Sequence, residues 1–181
     1  MALLAEELVE EWLNRQGYFT IRGAKVGLHE MDLLAIRSGP VGIDCRQIEV
    51  QASRRAVSYI TPVPAAVQRS TGRKPFSMKA RTTEEMTAAV REWIQKKYDH
   101  PDKRRLRDRL APGPWSRELV VHNVKYPDEL KLLEAEGVLV RHLRDVVSEL
   151  KNGGLLLDKA SGESLVDLVL LMSPATRDGD A

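Results

Sequence analysis

The chain has 181 residues, enough for one domain with a sizeable core, and 43% of them are apolar against 30% charged. With a mean hydropathy of −0.33, that balance excludes a disordered chain and a membrane-embedded one, and no apolar run approaches the roughly 18 to 20 residues that a bilayer span needs. The 28 basic and 26 acidic residues nearly cancel, but they are unevenly spread: Arg54 to Arg109 carries 15 Lys/Arg against 6 Asp/Glu, a net +9, and the remainder is −7. Such asymmetry points to a surface that meets a polyanion, with a solvated charged face as the alternative. The N-terminal MALLAEELVEEW turns acidic at once and has no basic leader, so a cytoplasmic location is expected. The lone cysteine, Cys45, excludes an internal disulfide and a zinc site built on thiolate pairs, and reads as a small buried residue.

In chain order, Leu4, Leu8 and Trp12, widened by Val9 and Leu13, predict an amphipathic helix from Ala2 to about Gln16, capped by Gly17. Tyr18 to Ile21 predicts a strand, Gly23 to Gly27 a turn, Met31 to Arg37 a second strand and Ile43 to Ala52 a third, together an early meander. From Ser53 to Arg81 the pattern fails, broken by Pro62, Pro64, Gly72 and Pro75, with Tyr59 and Ile60 as a possible strand continuation. A segment this long is expected to be functional or mobile. Thr82 or Thr83 with Glu84 and Glu85 opens a helix to about Tyr98, striped by Met86, Val90, Trp93 and Ile94. A basic run, Lys103 to Arg109, leads to a loop at Pro112 to Pro114.

The last third reads as strand Glu118 to His122, helix Asp128 to Glu136, strand Val138 to Arg141, helix Leu143 to Lys151 and an apolar helix Glu163 to Met172. Its strand, crossover helix and strand imply parallel pairing. The predicted order is therefore α-β-β-β-α-β-α-β-α-α, an α/β domain around one mixed sheet of about five strands, spanning 1–173 with a basic segment at 53–81 and a disordered tail at 174–181.

Asp32 falls in the second predicted strand, and Glu49 and Gln51 share one face of the third. If these strands pair as a hairpin, Asp32 lies close to Glu49 across the ladder. Two converging carboxylates repel unless a cation sits between them, and oxygen-only ligands suit Mg²⁺ or Mn²⁺. The first helix offers Glu6, Glu7, Glu10 and Glu11 as a third carboxylate.

At these residues the chain resembles the PD-(D/E)XK nuclease superfamily, whose restriction endonuclease-like core has an α-β-β-β-α-β order, an Asp near the start of the second strand and Glu-X-Lys in the third. Asp32 heads DLLAI, and IEVQAS places Glu49-Val50-Gln51 at the Glu-X-Lys position. The opening is also similar to Mrr-type endonucleases and archaeal Holliday-junction resolvases, with Glu6, Leu8, Val9, Trp12, Leu13, Gly17 and Tyr18 in the matching spacing. Glu6 is the helix carboxylate that fits, with Glu7 next to it. The resemblance implies a metal-dependent deoxyribonuclease in repair, recombination or restriction, with Glu6, Asp32, Glu49 and Gln51 as catalytic residues and Asp32, Glu49 and the Val50 carbonyl holding Mg²⁺ or Mn²⁺. It implies DNA as partner and a homodimer, with the apolar last helix either buried or forming the seam.

The departure is Gln51 in place of lysine. Either a cation comes from elsewhere, with Lys25, Arg54 and Lys79 as candidates, or catalysis is lost and the fold is kept for binding nucleic acid or a protein. Lys25, Arg54, Arg55, Arg73, Lys74 and Lys79 are the expected contacts to backbone phosphates. His29 and Glu30 read as surface residues, because HEMD is not the HExxH zinc motif. His100 has no visible partner in sequence. Trp12 and Trp93 read as core, and Trp115 as core or stacking platform.

Overall fold

The computed structural model describes residues 2–40, 42–53, 55–160 and 162–171. Helix α1 (Ala2–Arg15) is followed by β1 (Phe19–Val26), β2 (His29–Gly39) and β3 (Gly42–Gln51). Then come α2 (Ala65–Thr71), α3 (Thr83–Lys97) and α4 (Pro101–Leu110). The chain continues through β4 (Ser116–Val121), α5 (Asp128–Ala135), β5 (Val138–His142), α6 (Leu143–Asn152) and α7 (Glu163–Leu171). The five strands make one mixed sheet in sequence order, β1-β2-β3 antiparallel and β3-β4-β5 parallel. The fold is therefore α/β with a five-stranded mixed sheet flanked by helices, as the sequence pattern implies. No helix among the described residues is long and apolar enough to cross a membrane.

Alternation along the central strands assigns the two faces. Leu33, Ala35, Ile48, Val50 and Val120 point toward Leu8, Val9, Trp12 and Leu13 of α1, joined by Val146 and Leu150 of α6 and Val166 of α7. Leu119, Val121 and Val138 point the other way, onto Val90, Trp93 and Ile94 of α3 and Leu130 and Leu133 of α5. Trp12 and Trp93 are core on opposite faces, and Cys45 is buried. Gly17 closes α1 with φ +84° and an N–H to the Asn14 carbonyl at 2.9 Å. A Cβ there would meet Leu156 Cδ2 at 2.7 Å, so the cap fits only glycine.

The main departures from the expected elements come where polar side chains are buried. α4 forms over the basic run because Pro101 stands at its first turn and His100 caps it, and the buried positions on it are Lys103 and Arg107. An apolar stripe is absent, so periodicity gives no signal. β1 runs on through Gly23 to Val26, paired with β2 up to Val26↔His29, where a turn was expected. Tyr59 and Ile60 do not continue a strand: the chain there makes an isolated parallel bridge, Val57 to Val124, outside the five strands. The short α2 breaks the 53–81 segment. Residues 174–181, expected to be a disordered tail, and Met172 lie outside the described residues.

Of the four early glutamates, Glu11 is fully buried and accepts from Arg15 Nε at 2.7 Å and from the backbone N–H groups of Ala160 and Gly162 at 2.9 and 2.6 Å. It ties the segment before α7 to α1. One side of α7 packs through Val166, while Leu168 and Leu171 stay exposed.

Candidate functional site

The site lies where β2 begins, β3 ends and α3 gives way to α4. The paired register of β2 and β3 ends at Leu33↔Ile48, one residue short of Asp32 and Glu49. Asp32 is fixed by one oxygen, which accepts the Val50 N–H at 2.8 Å. Glu49 is 1% exposed. The Lys97 ammonium donates to its Oε2, Gln47 Nε2 donates to its Oε1 at 3.2 Å, and Lys103 Nζ stands 3.9 Å from Oε1.

Lys97 is the cation that pairs with Glu49, and it is not among the expected candidates Lys25, Arg54 and Lys79. It occupies the last turn of α3, where positive charge also suits the helix terminus. Its own backbone carbonyl, one of the unpaired groups at a helix end, accepts from Gln47 Nε2 at 2.8 Å and Lys103 Nζ at 2.9 Å. Gln47, fully buried, is in turn held through its oxygen by Arg107 at 2.6 Å. Lys103 also donates to the Glu30 carbonyl at 2.6 Å. The end of α3 is thus locked to β2, β3 and α4 by three buried polar side chains.

Burial is the largest influence on Glu49, and with the Asp32 charge it pushes the carboxyl up to about 7, against the opposing pull of Lys97 and Lys103. Desolvation works against the Lys97 charge, but the Glu49 carboxylate outweighs it and holds Lys97 above the ordinary lysine value. Burial and the Asp32 charge also raise Glu6. Glu7 and Glu10 instead meet Arg22 at 3.1 and 3.4 Å. Glu6 is therefore in the field of Asp32, while Glu7 is taken by another partner.

Because the folded state binds the Glu49 proton more readily than the unfolded chain, stability from this group is full below about 4.5 and is lost as pH rises toward about 7. The expected loss is on the order of 3 kcal/mol. Glu49→Gln is expected to flatten the pH dependence of urea unfolding in that window. An identical slope in wild type and variant would show that Glu49 titrates normally.

Gln51 is exposed at the end of β3, and its carbonyl accepts the His122 N–H at 3.2 Å. Its side chain lines a groove of about 610 Å³ with Lys97, Lys96, Trp93, Tyr59 and Phe76. Of the other expected cations, Lys25 faces Glu30 at 3.9 Å, and Lys79 is exposed with its carbonyl accepting from Arg73. Arg73 is mostly covered and paired with Glu85 at 3.0 Å. Arg55 and Lys74 are exposed, and Arg54 lies outside the described residues. The +9 segment is thus partly an internal charge: Arg81, Lys103 and Arg107 are buried. Trp115 is half-buried and donates to the Ala111 carbonyl at 3.0 Å.

The sequence did carry a signal for Lys97, since positions 90, 93, 94 and 97 form one helical stripe and a lysine there interrupts an apolar face. Gln47 and Glu49, polar residues alternating in a strand paired on both sides, are the matching signal in β3.

No family model and no curated protein matches the chain. Among solved structures, it is similar to one described as a protein of unknown function, AF1548, at 12% identity and a TM-score of 0.44, covering 78% of this chain and 58% of that one. It also matches the SfsA protein of Pyrococcus furiosus in complex with Ca²⁺, at 15% identity and a TM-score of 0.26, covering 70% of this chain and 48% of that one. The aligned part thus spans about half the length of each.

Proposed function

We propose that this chain is a metal-dependent endonuclease of the restriction endonuclease-like, PD-(D/E)XK class, hydrolysing DNA phosphodiester bonds in repair, recombination or restriction. The observation that supports it best is the Lys97 ammonium on Glu49, which also feels the Asp32 charge. A lysine from α3 takes over the charge role that Gln51 lacks.

The donor set fits a hard divalent cation, because Glu6, Asp32 and Glu49 offer only oxygen, and burial first, then the Asp32 charge, raises Glu6 and Glu49. Asp32 and Glu49, with the Val50 carbonyl, would hold Mg²⁺ or Mn²⁺, and Glu6 would take a place at its edge. When bound, such an ion supplies a Lewis acid for the phosphate and an acidified water. Lys97 stabilises charge developing on the scissile phosphate, and Gln47 with Lys103 keeps it in place. Exposed Arg55, Lys74, Lys79 and Lys96 meet the backbone phosphates. A homodimer through the exposed leucines of α7 would address two strands.

A second reading is a catalytically silent protein that keeps the fold for binding nucleic acid or a protein partner. What favours it is that two ammonium groups, Lys97 and Lys103, already face the two oxygens of Glu49. The experiment that decides is cleavage of labelled duplex, single-stranded, flap and four-way-junction DNA with Mg²⁺ or Mn²⁺, beside EDTA and the Asp32→Ala protein. Metal-dependent cuts absent from the variant are expected. Salt-sensitive binding without cuts would establish the silent reading.

A further inference from the structure

Beside this site the fold assembles a second set of donors that has no part in the proposed hydrolysis. His29 opens β2, His100 caps α4 and Asp102 sits in its first turn. One potential ligand atom from each lies within 4.8 Å of the other two, and among the described residues this is the one His/Cys/Asp/Glu group so placed. The His29 and His100 rings are 3.7 Å apart between centroids. His100 Nδ1 is 3.9 Å from Asp102 Oδ2, while Asp102 Oδ1 is engaged by Arg105 at 3.4 Å.

We propose that His29, His100 and Asp102 form a binding site for a Zn²⁺-class transition-metal ion that staples the entry of β2 to the α3–α4 turn. Two imidazoles and a carboxylate are the donors that Zn²⁺, Ni²⁺ and Cu²⁺ prefer, and they differ in kind from the all-oxygen set at Asp32 and Glu49. Two bonds of about 2.1 Å span at most roughly 4.2 Å. The 3.9 Å between His100 Nδ1 and Asp102 Oδ2 falls within that span. The ion takes His100 Nδ1 in place of the Asp102 N–H, whose contact at 3.4 Å is long for a hydrogen bond. Arg105 on the far oxygen orients the Asp102 carboxylate, the role of an outer hydrogen bond at metal centres.

The location gives the staple its use. His29 lies three residues before Asp32 and His100 three residues after Lys97. Lys103 already bridges the same segments by donating to the carbonyls of Glu30 and Lys97. An ion at this place ties the two segments that carry the carboxylate and the ammonium of the candidate site, and it binds whether or not that site cleaves DNA.

The test is calorimetric titration of Zn²⁺ into the metal-free protein, with a thermal melt at each addition. One ion per chain and a melting temperature that rises with Zn²⁺ are expected. His29→Ala and His100→Ala are each expected to weaken binding by at least about tenfold, and Asp102→Asn to weaken it while keeping the helix start. Glu49→Ala and His122→Ala are expected to leave the Zn²⁺ affinity as it was. Unchanged affinity in both His29→Ala and His100→Ala, or its loss in Glu49→Ala, would overturn the proposal. Because Zn²⁺ binding is read without cleavage, an inactive enzyme with a working staple and an active one without it give different results.

Discussion

Lys97→Met is expected to slow metal-dependent DNA cleavage by about 10²- to 10³-fold, the usual cost of removing one preorganised group from a developing oxyanion. Methionine keeps an unbranched stem at the end of α3, and the backbone carbonyl of residue 97 still receives Gln47 and Lys103. The change therefore removes the charge and leaves the framework. DNA affinity should fall little, because the exposed Arg55, Lys74, Lys79 and Lys96 provide most of the phosphate contacts in this reading. Adding Gln51→Lys to Lys97→Met puts an ammonium at the end of β3, beside the same groove, and is expected to restore part of the rate. Single-turnover rates and DNA affinities of the wild type, the single variant and the double variant give the answer. A Lys97→Met enzyme that cuts at the wild-type rate would assign the charge role to another residue.

How the site could be read from the sequence depended on where each residue gets its partners. Asp32 and Glu49 were legible because both sit in strands whose pairing follows from length, alternation and a short connection, and they directly precede and follow, respectively, the residues of the last observed pair, Leu33↔Ile48. The meander and the parallel β4-β5 unit were legible for the same reason. Lys97 was legible only as a break in an apolar helical stripe and not as a site residue: its partner is 48 residues earlier in the chain, and a basic residue at a helix end satisfies a terminal rule without any partner at all. Lys103 and Arg107 were not legible as site residues either. Their helix looks like a solvated basic run, because the groups that neutralise or hydrogen-bond them, Glu49 and Gln47, belong to a strand about 54 to 60 residues away. Taken singly, His29 reads as a surface residue and His100 as partnerless, and only the pairing of β1 with β2 beside α4 brings them together. Charge along the chain was the least reliable guide, since a local excess of +9 does not say which cations the fold turns inward.

Glu129→Ala is expected to lower the free energy of unfolding by about 3 to 5 kcal/mol, because several buried donors lose their acceptor at about 1 to 3 kcal/mol each. Glu129 is fully buried on α5, and accepts from the Ile60 N–H at 2.6 Å, the Thr61 N–H at 3.0 Å and the Thr61 hydroxyl. Arg81, also buried, donates to the Thr61 carbonyl at 3.0 Å and lies 3.9 Å from the Tyr59 ring centroid. Tyr59 in turn stacks on Tyr126 at 4.7 Å. Burial lowers Arg81, and the Glu129 charge is the chief influence opposing that. Alanine would strip two backbone donors of their acceptor and leave the guanidinium without its counter-charge, where hydrophobic contacts offer little in return. Urea unfolding measures the loss, and hydrogen exchange at Ile60 and Thr61 locates it. Wild-type stability in Glu129→Ala would mean that water replaces the carboxylate at no cost. The same contact holds the segment that supplies Tyr59 and Ile60 to the groove beside Gln51 and Lys97. Exchange that accelerates at Ile60 and Thr61 while the amides of β3 keep their protection would show that this wall opens as a unit separate from the sheet carrying Glu49.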